Sequence, residues 1–171
     1  GVLYSHRSTV LHAFGVCTVD SLAVSRRETA LLVVPMFHVN AWSMPYAGAL
    51  SGAKLVLPGP ALDGASVYQL LRDEQVTLAL GVPTIWMLLL QHVATQGLAP
   101  TRELALRRVV IGGAAAPRAM AEAFEREFGA CVVQGWGMTE MSPVGTVCNL
   151  LPKHDALPME QRLDVRVKQG R

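Results

Sequence analysis

Short apolar runs that alternate with helix-forming segments are the feature that most restricts the fold of this chain. The runs are rich in valine, leucine and isoleucine, and most of them stop at proline or glycine, a pattern typical of strands buried on both faces. They cover residues 30–34, 53–57, 77–81, 107–113 and 130–135, with a further candidate at 144–148. Strands separated in this way by helices predict an α/β fold with a mostly parallel sheet and helices on both faces.

The segments between the runs carry recognisable helix signals. Asp63 is a good N-cap residue, and Pro83 and Pro117 stand where proline favours the first helical turn. The predicted helices cover residues 8–20 with Val10, Leu11 and Phe14 on one face, 39–50 with a break near Pro45, 63–74, 83–93 and a segment that follows Pro117. Residues 150–170 are polar and contain prolines, so we expect a surface connection there.

Composition excludes several classes of function. The chain has 171 residues, of which 51% are hydrophobic and 16% charged, and its net charge is only +2, so nothing favours nucleic acid or an anionic membrane as a partner. Cys17, Cys131 and Cys148 are far apart and form no C-x-x-C pair, which indicates free thiols in a reducing, cytoplasmic compartment. The longest apolar stretch, residues 78–90, is too short and too interrupted for a transmembrane span.

Four segments that follow predicted strands carry the candidate chemistry. They are "PMFHVNAW" (35–42), "GVPTIW" (81–86), "GGAAAP" (112–117) and "GWGMTE" (135–140). In parallel sheets, ligands bind at the carboxyl ends of the strands, and glycines there let a ligand approach the backbone closely. The "GGAAAP" segment could hold a nucleotide, but it matches neither standard phosphate-binding glycine motif, so a tight strand–helix turn is the simpler interpretation.

The "GWGMTE" segment combines three kinds of binding group. Trp136 lies between glycines and could stack on a base, Thr139 offers a hydroxyl to a phosphate, and Glu140 is an oxygen ligand suited to Mg²⁺. The alternative is that Trp136 belongs to the core and that Thr139 and Glu140 only begin a helix. The residues by themselves leave the two interpretations open.

The same segment resembles the Y-G-M-T-E signature of the adenylate-forming superfamily, which includes acyl-CoA synthetases, peptide-synthetase adenylation domains and luciferases. The other three segments, with "YAGALSGAKLVLPGP" (46–60), resemble the medium- and long-chain fatty acyl-CoA synthetases in the same order. The resemblance covers nearly the whole chain. The sequence departs from the signature at Trp136, which replaces the usual tyrosine, keeps a stacking face and loses the phenol hydroxyl.

The resemblance implies roles for individual residues on the nucleotide side. Thr139 would contact the α-phosphate of ATP, and Glu140 would bind Mg²⁺. The residues that would border or stack on the adenine are Gly113, Ala114, Ala115, Gly135 and Trp136.

On the acid side, the resemblance places His38 beside the acyl carboxylate and the α-phosphate, and it makes Trp42 the gate of an acyl tunnel. The alternatives are a core histidine at a strand end for His38 and helix packing for Trp42. Trp86 is expected to form part of a wall rather than to act in catalysis.

The implied activity is that of a fatty acyl-CoA ligase, with ATP, Mg²⁺ and CoA. Residues 1–171 would be part of the AMP-binding N-terminal domain, without the phosphate loop and the C-terminal domain, and would be inactive alone. Two alternatives stay open: a non-catalytic nucleotide- or acyl-binding homologue, and a ligase for short-chain, aryl or sulfur-containing acids. A homodimer is an open option.

Overall fold

A six-stranded sheet organises the chain in the computed structural model, which describes residues 1–170. The strands are β1 Thr29–Leu32, β2 Lys54–Val56, β3 Leu78–Gly81, β4 Arg108–Ile111, β5 Cys131–Gly137 and β6 Val144–Val147. Their order is β2-β1-β3-β4-β5-β6; the first five are parallel, and β6 runs antiparallel to β5. The predicted mostly parallel sheet is confirmed. The further candidate strand at residues 144–148 is also confirmed, as the edge strand β6.

Apolar side chains cover both faces of the central strands. Leu31 faces one core, which contains Trp86 and Phe124, while its neighbour Leu32 faces a second core, which contains Trp42. Successive side chains of a strand point to opposite faces, so a strand buried on both sides needs an unbroken apolar run. This is why the strands could be found in the sequence as continuous runs.

The helices lie between the strands as the alternation predicts. Asp63 is confirmed as an N-cap, because its Oδ1 accepts a hydrogen bond from the Ser66 backbone N–H at 3.0 Å. The helices are α1 His6–Cys17, α2 Val39–Trp42, α3 Met44–Ser51, α4 Gly64–Asp73, α5 Pro83–Gln96, α6 Pro100–Glu103, α7 Arg118–Ala123, which continues as the π-helical turn Phe124–Phe128, and α8 Met159–Arg166. Within residues 1–170, no helix combines the length and hydrophobicity needed to cross a membrane.

The predicted broken helix over residues 39–50 is confirmed, with its break at Ser43, two residues before Pro45 in the first turn of α3. The hand of its first turn was not expected. The preceding turn, α2, is left-handed, because Val39 to Ser43 all have φ between 48° and 61°. Sequence patterns of apolar spacing do not distinguish the two helical hands, so this turn could not be predicted.

Three expectations need correction. Residues 150–170 are not only a surface connection, since Leu163 on α8 is fully buried. Strand β5 does not stop before the "GWGMTE" segment but runs on to Gly137, because β6 pairs with it there. In α1 the predicted apolar face, which includes Phe14, is exposed, and Ala13 and Val16 pack inward instead.

At the amino ends of the strands, a buried carboxylate ties three of them together. Glu28, which precedes β1, accepts hydrogen bonds from the Thr77 hydroxyl and from Arg107 Nη2, the latter at 3.2 Å to each oxygen. Arg108 Nη2 lies 3.1 Å from the same carboxylate. Because Thr77 precedes β3 and Arg107 precedes β4, this cluster fixes the end of the sheet opposite the candidate site.

Candidate functional site

A cavity of about 320 Å³ opens at the carboxyl ends of β4 and β5. Seven of the nine predicted site residues line it: His38, Trp42, Gly113, Gly135, Trp136, Thr139 and Glu140. Ala114 and Ala115 do not line it, and both are exposed further along the loop after β4. The "GVPTIW" segment does not line it either. Three of the four candidate segments therefore converge on one cavity, at the edge of the sheet where ligands of parallel sheets bind.

The left-handed turn α2 positions the acid-side residues. His38 precedes it and is exposed, so the interpretation of His38 as a core histidine is wrong. Left-handed geometry costs a non-glycine residue about 1–2 kcal/mol, and it is least favourable for a β-branched residue such as Val39. Strain of this kind persists only where surrounding contacts compensate for it, and it concentrates at functional sites.

Trp42 both belongs to a core cluster and lines the cavity. Its side chain is 9% exposed, and its Cη2 lies 3.0 Å from the point where a Cβ on Gly112 would stand. The absence of a side chain at Gly112 lets the indole lie against the backbone that leaves β4. Helix packing alone does not describe Trp42, because one side of the ring faces the cavity.

The segment Gly135–Gly137 is extended and forms the end of strand β5. Trp136 is 42% exposed, so the interpretation of Trp136 as a core residue is wrong. Gly137 has a steric reason to be glycine, because a Cβ there would stand 2.2 Å from the Pro143 carbonyl oxygen. The indole therefore has an open face at the cavity because it stands on a strand, where side chains project from the sheet.

Thr139 and Glu140 stand in a single 3₁₀ turn, Thr139–Met141, rather than at the start of a long helix. The Tyr4 hydroxyl donates a hydrogen bond to the Thr139 carbonyl. Burial and the nearby Glu140 charge both raise the pKa of Tyr4.

In the described part of the chain, no group of three or more His, Cys, Asp or Glu side chains could hold a metal. Glu140 fits Mg²⁺ as a lone protein carboxylate, since that ion usually keeps several waters and binds substrate phosphates.

Two residues that the sequence did not single out fasten this turn to the rest of the site. The Ser43 hydroxyl, at the end of α2, donates to the Ser142 carbonyl at 3.0 Å. His12 Nε2 on α1 accepts from the Val144 N–H at 3.0 Å, and burial lowers the pKa of His12. The acid-side turn and the Thr139–Met141 turn are thus joined directly.

Gln134 is the most buried polar residue near the cavity, and sequence reasoning missed it. Its side chain is fully buried, and its Oε1 accepts from the Ala116 N–H at 2.6 Å. Its Nε2 lies within hydrogen-bond distance of three carbonyls: Ile111 at 3.2 Å, Ala114 at 3.3 Å and Gly135 at 3.1 Å. The available signal was one amide at the end of the otherwise apolar run "CVVQ".

A mostly parallel α/β sheet with this cavity at its carboxyl edge has the architecture in which such proteins bind ligands. Comparison with family models gives the specific class: residues 1–168 match the AMP-binding enzyme family, so the chain belongs to that family.

Comparison with individual proteins gives similarities to particular CoA ligases within this family. The chain is 52% identical over 171 residues to a medium-chain-fatty-acid–CoA ligase of Ectopseudomonas oleovorans, and 53% identical to a 3-methylmercaptopropionyl-CoA ligase of Ruegeria pomeroyi. All of the chain is matched in both, and it spans 31% of each relative's length. A solved long-chain-fatty-acid-CoA ligase of Archaeoglobus fulgidus shares the fold, with a TM-score of 0.80 at 21% identity over 99% of this chain and 33% of its own.

Proposed function

We propose that this chain forms part of the AMP-binding N-terminal domain of a cytoplasmic fatty acyl-CoA ligase. The observation that carries the proposal is the single cavity in which His38 and Trp42 meet Trp136, Thr139 and Glu140. Family membership and the fatty-acid–CoA ligase among its relatives support the same activity. ATP and CoA are the co-substrates of AMP-binding CoA ligases.

The reaction first joins two anions, the acid carboxylate and ATP. The acyl group is then transferred from AMP to the thiol of CoA. A carboxylate oxygen attacks the α-phosphorus of ATP, pyrophosphate leaves, and an acyl-adenylate forms; the CoA thiolate then attacks the acyl carbon and AMP leaves. Mg²⁺, when bound, supplies positive charge against the repulsion between the carboxylate and the phosphates. Most of the remaining catalysis is positioning, so a nucleophilic side chain is not needed.

The chain's own residues divide this positioning between them. Trp136 presents its open face to the adenine, and the Thr139 hydroxyl donates to an α-phosphate oxygen. Glu140 would hold Mg²⁺ as its protein ligand. His38 is exposed at the cavity and donates to the oxygens of the acid or the α-phosphate, while Trp42 borders the space for the acyl chain.

The direct test is acid-dependent pyrophosphate release by the full-length protein that carries this sequence. Octanoate should release pyrophosphate with ATP and yield a CoA thioester when CoA is added. ATP binding without release, across fatty, aryl and short acids, would instead identify a non-catalytic homologue.

One relative gives a second candidate substrate a specific basis. The 53% identical ligase of Ruegeria pomeroyi is named for 3-methylmercaptopropionate, a short sulfur-containing acid. Competition between octanoate and 3-methylmercaptopropionate in the same assay separates the two substrates, because the preferred acid has the higher kcat/KM. We expect octanoate to be preferred; the reverse order would assign the sulfur-containing acid.

A further inference from the structure

The Glu140 loop, residues 138–143, joins β5 to β6 and carries Thr139 and Glu140. The Met138 N–H donates to the Pro143 carbonyl at 3.0 Å, so the two ends of the loop are bonded to each other. Thr139, Glu140 and Pro143 all line the cavity. Contacts that fix either end of this loop therefore also fix how its side chains stand at the cavity.

Side chains from the segment around α1 hold both ends of the Glu140 loop. At one end the Tyr4 hydroxyl donates to the Thr139 carbonyl. At the other end the N–H of Val144, the first residue of β6, donates to His12 Nε2 at 3.0 Å. His12 is half-buried, so water competes less for this second hydrogen bond than it would at the surface.

The hydrogen bond from Val144 requires a neutral His12. A backbone N–H can only donate, so Nε2 is the acceptor and the proton of the neutral ring is on Nδ1. That Nδ1 is buried and has no hydrogen-bond partner within residues 1–170. A second proton, on Nε2, would set one N–H against another and remove the bond.

In the part of the chain that the structure describes, no charged neighbour favours the protonated ring, and burial lowers the pKa of His12. Helix α1 packs mainly on α3, whose one titratable side chain is Tyr46, and β6 has none. The Glu140 loop contributes Glu140, and the residue before the Ser5 N-cap of α1 is Tyr4. The other titratable residues of α1 itself are His6, Arg7 and Cys17.

We propose that His12 is the positioning residue that holds the Glu140 loop in the arrangement needed for acyl-adenylate formation. The proposal rests on the proposed function for the reaction that the loop serves. His12 does not line the cavity, and it acts through Val144. Without the imidazole acceptor, the Val144 N–H loses its partner and the end of the loop next to β6 is released.

Hydrogen–deuterium exchange tests the position of the loop without any substrate. Mass spectrometry follows deuterium uptake in the peptide that covers residues 138–147 of the full-length protein that carries this sequence. His12→Leu removes the acceptor and should raise the uptake rate on the order of tenfold, the effect of one lost hydrogen bond. His12→Gln offers an amide oxygen to the Val144 N–H and should stay within about threefold of wild type.

Octanoate-dependent exchange of pyrophosphate into ATP adds a pH profile, with rates expressed per folded molecule. His12→Leu should lower kcat on the order of tenfold and change the KM for ATP less. Only the wild type loses its acceptor by protonation, so the ratio of the His12→Gln rate to the wild-type rate should rise as the pH falls from 7 to 5. His92→Gln is the matched control, since His92 is half-buried on α5 outside the cavity, and its ratio should stay constant.

Two results would overturn the proposal: unchanged uptake in a folded His12→Leu protein, and a constant His12→Gln ratio between pH 7 and pH 5. If His12→Leu does not fold, the wild type decides the question. Its uptake, corrected for the intrinsic pH dependence of exchange, should accelerate toward pH 5 relative to His12→Gln, and parallel curves would contradict the role of His12. By contrast, loosening of the loop in His12→Leu without acid-dependent pyrophosphate release in any of the proteins would remove the ligase function and leave the loop-holding role of His12 intact.

Discussion

The indole of Trp42 lies against the backbone of Gly112, with Cη2 only 3.0 Å from the position of a Cβ at that glycine. Trp42 ends the left-handed turn α2, and Gly112 follows the buried strand β4. The contact therefore joins two segments that are far apart in the sequence and that both border the cavity. A methyl group at Gly112 would also stand 3.4 Å from the Gly135 carbonyl oxygen, so the indole cannot avoid it easily.

Gly112→Ala should therefore destabilise the protein by about 1–3 kcal/mol, the usual range for overpacking a filled site. Urea denaturation measures the change. Gly15→Ala is the control, because a Cβ there meets nothing within 4 Å, and alanine in a helix should be neutral or slightly stabilising. Adding Trp42→Leu to Gly112→Ala should recover part of the loss. Equal effects of the two glycine substitutions would show that the indole is not held against Gly112.

Trp42→Ala should change the acid preference of the ligase and leave ATP affinity nearly unchanged, because the nucleotide-side residues belong to other segments. Each chain methylene buried in a tunnel contributes about 0.8 kcal/mol, so kcat/KM should rise with chain length until the tunnel is full. A series of acids from four to eighteen carbons tests both proteins. A parent that prefers benzoate or a very short acid, with the same profile in the variant, would leave Trp42 as ordinary packing.

Glu140→Gln keeps the size of the side chain and removes its charge. If Glu140 holds Mg²⁺, the barrier to adenylation should rise by about 2–4 kcal/mol, the range for losing one key electrostatic group. Pyrophosphate exchange at saturating Mg²⁺ is the measurement. Glu127→Gln, on the π-helical turn away from the cavity, should have no such effect. An unchanged exchange rate in Glu140→Gln would remove Glu140 from the metal site.

Glu28→Ala should destabilise the protein by about 2 kcal/mol, because it leaves the part-buried Thr77 hydroxyl and the guanidinium groups of Arg107 and Arg108 without their shared partner. The exposed pair Lys54–Glu74 is the matched control, and Glu74→Ala should cost less than about 1 kcal/mol. Activity per folded molecule should not change, since the Glu28 cluster lies at the amino ends of the strands. A loss of activity in folded Glu28→Ala protein would contradict this separation of stability from the site.

His12 gives a pH dependence with a definite sign. Burial lowers the pKa of His12 below its ordinary value of 6.5, so the unfolded chain takes up the proton first as the pH falls. This contribution to stability is present above pH 6.5 and is lost as the pH falls toward the folded-state pKa. His12→Gln keeps an acceptor for the Val144 N–H and does not titrate. Its unfolding free energy should vary less than that of the wild type between pH 7 and pH 5, and parallel curves would contradict the assignment.

The sequence by itself determined the strands, most of the helices and the edge of the sheet at which the candidate cavity lies. These features rest on short-range rules: a strand covered on both faces needs a continuous apolar run, and Asp63 caps a helix through a neighbour three residues away. Because parallel strands end at one edge of a sheet, the loops that follow them had to come close together. The expected roles of Thr139 and Glu140 remain predictions.

Only the tertiary structure decided the hand of the turn at Val39–Trp42, the extension of β5 through Trp136 and the burial of α8. Each depends on a partner far along the chain. Left-handed geometry is unfavourable locally and persists because contacts such as Ser43 to Ser142 and Trp42 to Gly112 stabilise it. Sequence analysis did not single out Gln134, because the peptide groups that its side chain contacts belong to the loop after a different strand. Local propensity cannot encode such contacts, since their free energy exists only once the sheet has brought both segments together.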